Sequence, residues 1–118
     1  MCNFKDETLN VLAANGKTWN DVKFIQGDDF KVSNNKDELL ELMNFEYDNG
    51  YGAPEIAEDL KIMGDNWWLE RGEYDGSEWW EYKEIPRPNS ELKEIKRFQV
   101  KDNQIGWKSL KDVNEEEN

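Results

Sequence analysis

The chain is 118 residues long, carries a net charge of −12, and contains no histidine and a single cysteine, Cys2. The length suits one ordinary domain, the lone cysteine excludes an intramolecular disulfide and a thiolate metal centre, and the missing histidine excludes every Ser–His or Cys–His catalytic pair. Charged and hydrophobic residues each make up 36%, so the core must be thin, and an aromatic share of 13% with six tryptophans must supply much of it.

In chain order, residues 4–14 place Leu9, Leu12 and Ala13 on one face with Val11 beside them, and Asn15-Gly16 follows as a stop, which predicts a helix. Thr18-Trp19-Asn20-Asp21 has capping-box spacing with no helical pattern behind it. Residues 22–25 and 30–32 read as strands joined by a turn at Gly27-Asp28-Asp29. Asn34 or Asn35 caps a second helix over 36–44, with Leu39, Leu40, Leu42 and Met43 as its apolar side. Residues 45–54 read as a tight connection packed by Phe45, Tyr47 and Tyr51, in preference to a binding loop.

Residues 56–85 read as a three-stranded meander. Ile56, Leu60 and Ile62 share one face of its first strand, Gly64-Asp65-Asn66 turns, residues 67–71 form the second strand, Asp75-Gly76-Ser77 turns again, and 78–84 form the third. Trp67 and Trp68 must point opposite ways, as must Trp79 and Trp80, so the sheet is either covered on both faces or exposes a sticky patch. The rings read as core and cross-strand pairs in preference to a sugar-stacking platform. Pro86-Arg87-Pro88 ends the meander; beyond it lies a short helix through Leu92, Ile95 and Phe98 or a strand through Phe98 and Val100. Trp107 and Leu110 read as a final anchor onto the core, and 112–118 as a mobile acidic tail. The expected fold is α+β: a small antiparallel sheet, made of a hairpin plus a three-stranded meander, with two N-terminal helices packed on it, in a single domain over 1–111.

Cys2 reads as a free thiol near a frayed terminus. No apolar run approaches the ~18 residues that span a membrane, and the N-terminus lacks a signal-peptide pattern; both suit the cytoplasm. Walker, dinucleotide and calcium-loop patterns are absent, and Asp75-Gly76 lacks acidic ligands at the offsets calcium needs. Carboxylate pairs (Glu58/Asp59, Asp28/Asp29, Glu73/Asp75, Glu78/Glu81) arise readily by chance among 27 acids, and a glycosidase needs two of them in a cleft. The composition therefore points to a binding protein with no catalytic residue, metal or cofactor, with a small carboxylate hydrolase as the least favoured alternative.

The charge is unevenly spread. Residues 46–84 carry twelve acids and three bases, net −9, whereas 85–111 are net +4. Such a field repels nucleic acid and anionic membranes and attracts basic surfaces. The candidate contact residues are Asp48, Glu55, Glu58, Asp59, Glu70, Glu73, Asp75, Glu78, Glu81 and Glu84. Same-face residues of a strand repeat every ~6.6–6.8 Å, so Glu78 and Glu84 share a face with Trp80 and Tyr82, and Glu81 lies on the other. Double-stranded DNA carries one charge per ~1.7 Å of axis, so a folded acidic stripe imitates part of its phosphate rows. Reversing Glu70, Glu73, Glu78 and Glu81 to Lys is expected to abolish binding without unfolding the sheet. The plain alternative is a solvated face that keeps a thin-cored protein soluble.

The runs 45–52, 55–60, 64–71 and 73–82, and above all the string Trp67-Trp68 … Tyr74-Asp75-Gly76-Ser77-Glu78-Trp79-Trp80, resemble small proteins carried by phages and mobile elements of Gram-positive bacteria. The resemblance carries over no catalytic residue. By type it implies an inhibitor of host defence, of which anti-CRISPR proteins that mimic DNA are one class. The resulting expectation is an acidic inhibitor, monomeric or weakly dimeric, that binds a basic nucleic-acid-handling host protein and no nucleic acid or membrane itself. A non-enzymatic adaptor presenting an aromatic sheet face is the alternative.

Overall fold

The first helix is set by its own ends. Asn3 accepts the Asp6 amide at 3.0 Å, and Asp6 and Glu7 sit where the helix dipole favours anions. At the other end Lys17 N donates to Leu12 O at 2.9 Å across Gly16, whose φ of 73° only glycine adopts without cost. Between them Phe4, Thr8 and Leu12 form a buried stripe at four-residue spacing. The computed structural model describes residues 1–50, 52–88, 92–100 and 106–114. In order the elements are β1 (Cys2–Asn3), α1 (Phe4–Ala14), a 3-10 turn (Trp19–Asp21), β2 (Phe24–Gly27), β3 (Phe30–Lys31), α2 (Lys36–Leu42), β4 (Glu46–Tyr47), β5 (Lys61–Met63), β6 (Trp67–Tyr74), β7 (Ser77–Glu84) and α3 (Leu110–Asn114).

The fold is α+β. Among the described residues a five-stranded antiparallel sheet runs in the order β3-β2-β5-β6-β7, and β1 pairs with β4 in a small second ladder. The tight turn of the β6–β7 hairpin puts Asp75 at φ 51° and Gly76 at φ 87°, the pair of positive values that matches strand twist. That turn pairs Tyr74 with Ser77, and therefore Arg71 with Trp80 and Glu70 with Glu81. Alternation then gives two unlike faces. The inner face carries the row Ile25, Ile62, Leu69, Tyr82, together with Trp67, Arg71, Glu78 and Trp80. Helix α1 covers part of it: the Phe4 and Trp80 rings stack at 5.6 Å, and buried Thr8 accepts Trp80 Nε1 at 2.8 Å while donating to Phe4 O at 2.8 Å. Helix α2 packs Leu39 and Leu40 on the same core. An Asn35–Glu38 capping box starts it, and Lys36 Nζ ties it to the 3-10 turn through the carbonyls of Trp19 and Val22 at 3.0 and 2.8 Å. The outer face carries neither helix.

Two compact units divide the chain, Met1–Pro86 and Arg87–Asn118, and the boundary expected at residue 111 falls inside α3. The second unit closes on Asn114, whose side chain accepts from Lys96 N and Arg97 N at 2.8 and 3.0 Å and donates to Arg97 O at 3.0 Å. Among its described residues the buried apolar one is Val113, whereas Trp107 is fully exposed and Leu110 half exposed, so the expected anchor is corrected. Residues 92–100 form neither the helix nor the strand considered. The expected strand through Ile56 and Leu60 is shortened to Lys61–Met63. Tyr47 is buried as expected and Phe45 stacks on Phe4 at 5.4 Å; Tyr51, residues 89–91 and the segment 115–118 lie outside the described residues.

Candidate functional site

The β2–β3 turn, the segment leading into β5 and the β6–β7 turn meet at one end of the sheet, because Lys61 pairs with Gln26 on one side and Glu70 on the other. Asp28, Glu58, Asp59 and Glu73 line a concavity of about 390 Å³ there, with Lys61 and Gly72 among its other walls. The segment is fastened by its own polar groups: Asp28 N donates to Asp59 Oδ2 at 2.9 Å, Gly50 N to Asp48 Oδ1 at 2.9 Å, and Asp48 N to Glu55 Oε2 at 3.3 Å. Lys61 is ion-paired with Asp28 at 3.6 Å. Glu73 accepts the Gly76 amide at 3.3 Å beside the turn residue Asp75. Asp48, Glu55, Glu58, Asp59, Glu73 and Asp75 are thus brought to the hairpin end.

Glu78 is not among them, which corrects its assignment as a contact residue. Its carboxylate lies on the inner face, bonded to Arg71 Nη2 at 2.9 Å, and the two side chains are 3% and 4% exposed. The same carboxylate accepts the amides of Glu55 at 2.6 Å and Ile56 at 3.3 Å, so it holds the segment that carries the outer acids. Arg71 lies over the Trp80 ring at 4.7 Å and the Phe4 ring at 5.5 Å. Its Nε and Nη1 have no hydrogen-bond partner among the described residues, although Nη1 stands 3.9 Å from Glu7 Oε1. Tyr47 donates to Glu7 at 2.5 Å and accepts from Arg71 at 3.1 Å. Burial, and then that donation to Glu7, hold its hydroxyl protonated well above the ordinary tyrosine range. Sequence reasoning missed Glu7 and Arg71 and gave Tyr47 a packing role alone. The signal was present, since the turn at Asp75-Gly76 sets Arg71 opposite Trp80 and diagonal to Glu78.

The remaining candidates are dispersed. Glu70 and Glu81 face each other on the outer face, where each is bonded by an indole: Trp68 Nε1 donates to Glu70 at 2.6 Å and Trp79 Nε1 to Glu81 at 3.1 Å. Lys83 stands 3.7 Å from Glu81, and Lys31 and Lys61 share that face by register, so the face is mixed in charge and not an acidic stripe. Glu84 lies at the far end of the sheet and accepts Tyr82 OH at 2.9 Å. Desolvation, then Glu84, raises the Tyr82 hydroxyl pKa. The tryptophan pairs split as alternation demands: Trp67 and Trp80 are buried, Trp68 is half-buried and Trp79 exposed.

A second concavity, of about 270 Å³, lies between α2 and the segment 55–60, walled by Leu39, Leu42, Met43, Ile56 and Leu60 and floored by Ile25 and Ile62. Among the described residues no group of Cys, Asp or Glu is arranged to hold a metal ion, and no helix is long and apolar enough to cross a membrane. Compared with protein-family models, with curated proteins and with solved structures, the chain matches none.

Proposed function

We propose that the protein is a non-enzymatic binding module that engages a basic, nucleic-acid-handling protein through the acids at the hairpin end of its sheet. The observation that carries this reading is the convergence of Asp28, Glu58, Asp59 and Glu73 on one concavity, beside Asp48, Glu55 and Asp75, while the two bases that also line it are ion-paired within the chain, Lys61 with Asp28 and Arg71 with Glu78. Carboxylates held on a pinned frame cost little to order and draw a basic partner by long-range attraction. The resemblance of residues 45–82 to phage and mobile-element proteins supports a place in the bacterial cytoplasm as an inhibitor of host defence, an anti-CRISPR protein that mimics DNA being its sharpest form. The test is affinity capture from nuclease-treated bacterial lysate. A basic nucleic-acid enzyme released by added DNA and by salt is expected, since exposed charges are screened within about 10 Å at 0.1 M. A neutral partner that stays bound through both washes contradicts the reading.

One observation favours a second reading, an adaptor that docks through its outer face. Phe24, Tyr74 and Trp79 are exposed there, next to half-buried Trp68 and Met63, and aromatic residues of this kind anchor protein interfaces. On that reading Trp79→Ala with Tyr74→Ala removes binding, and salt leaves it unchanged.

A further inference from the structure

The apolar pocket and the acidic concavity are separated by a single segment of chain. Ile56, Ala57 and Leu60 line the pocket, while Pro54, Glu58 and Asp59 of the same segment line the acidic concavity. The dividing wall is pinned, because the amides of Glu55 and Ile56 are bonded to buried Glu78. Among the described lining residues of the pocket Glu55 alone is charged. Leu42 and Phe45 stay exposed despite being large and apolar. At about 270 Å³ the pocket is smaller than the ~300–1,000 Å³ that takes a drug-sized molecule, and it suits one large side chain. From this juxtaposition we infer that the pocket receives a single large apolar side chain of a protein segment whose neighbouring residues are Lys or Arg. The anchor enters beside α2 while a basic neighbour reaches over residues 54–60 to Glu58, Asp59 and Glu73. The inference rests on the proposed function and adds to it the character of the bound segment: basic, with one apolar anchor. An interface of this form concentrates its energy in the anchor and takes its selectivity from the surrounding charges.

The probes are three heptapeptides: six lysines around a central phenylalanine, six lysines around a central alanine, and six glutamines around a central phenylalanine. Binding is followed by NMR, with shifts mapped onto Leu39, Met43, Ile56 and Leu60. The lysine–phenylalanine peptide is expected to shift these residues and to bind about tenfold or more tighter than the lysine–alanine peptide, the gain expected from burying one aromatic side chain. Ala57→Trp, which fills the pocket from an exposed wall position, is expected to abolish that difference and leave the lysine–alanine peptide unaffected. Leu42→Ser at the exposed rim reduces the same difference if the bulkier variant does not fold. Equal binding of the two lysine peptides overturns the pocket inference and leaves the acidic reading standing, whereas binding of neither removes the acidic reading itself. A glutamine–phenylalanine peptide that binds as tightly as its lysine counterpart shows an apolar ligand indifferent to charge and overturns the basic partner. Shifts of the pocket residues with protein concentration alone assign the pocket to a second copy, and also overturn it.

Discussion

Arg71 is enclosed by the groups that keep a guanidinium charged away from water. Glu78 lies 2.9 Å away, the Trp80 ring 4.7 Å, and Tyr47 OH 3.1 Å. Removing one member of a buried pair strands the other, at a cost of about 3–5 kcal/mol, a large part of the ~5–15 kcal/mol that holds a domain together. Glu78→Ala is therefore expected to lose about that much in urea unfolding, and Glu78→Lys to unfold the sheet, contrary to the expectation drawn from sequence. Glu84→Ala, at an exposed position, stays within ~0.5 kcal/mol, and the joint change Arg71→Met with Glu78→Leu recovers part of the loss, because no guanidinium is then stranded, although Glu7 loses its ion pair with Arg71 and the amides of Glu55 and Ile56 lose their acceptor. Tyr47 supplies a pH test. Its folded-state pKa lies above the ordinary value of 10, so the stability it contributes is complete below pH about 10 and is lost as pH rises beyond it. Ionisation of Tyr47 is expected to coincide with loss of the fold in a spectroscopic alkaline titration. Reversible ionisation near pH 10 in an intact protein contradicts the buried network.

At the scale of elements, helix ends and the long hairpin do the specifying. Asn35→Ala removes the acceptor for Glu38 N at 2.9 Å and is expected to cost about 1 kcal/mol, read from the thermal midpoint. A methyl group on Gly64 would overlap the buried Trp67 indole, so Gly64→Ala is expected to destabilise more than an exposed Gly→Ala change such as Gly50→Ala. These features were legible in sequence because each rests on contacts within a few residues: Asn35 three before Glu38, Asp75-Gly76 between two tryptophan pairs, Asn15-Gly16 after an apolar stripe. What was not legible rests on distant partners. The ladder Cys2↔Tyr47 and Asn3↔Glu46 is too short to show a period. Ile56 and Leu60 have strand-like spacing, but the amides of Glu55 and Ile56 are taken by Glu78, so the chain there is an irregular wall. Alternation placed Glu78 with Trp80 and Tyr82 correctly; the error was to count Glu78 among the contact residues, since its carboxylate is buried against Arg71. Trp107 is apolar in composition yet exposed, and Val113 with Asn114 closes its unit instead.

For the whole molecule, the acids behind the −9 of residues 46–84 are divided by the fold into an internal carboxylate at Glu78, an indole-bonded pair at Glu70 and Glu81, a distant Glu84, Glu46 in β4, Asp65 beside Lys23 at 3.6 Å, and a cluster at the hairpin end. In the cluster acids outnumber the bases that line the same concavity, Lys61 and Arg71, each of which is ion-paired within the chain, and it is the part on which the proposed function rests. Reversal there must respect the backbone: Asp75, at φ 51°, accepts Asn better than Lys. The most direct measurement compares the captured partner's affinity for the wild type and for Glu58→Lys/Glu73→Lys/Asp75→Asn across a salt series, with unfolding curves as a control on stability. Three surface charge contacts at about 0.5–1 kcal/mol each predict a loss of roughly thirtyfold at low salt that shrinks as salt rises. An unchanged affinity at every salt concentration, in a variant as stable as the wild type, would contradict the account.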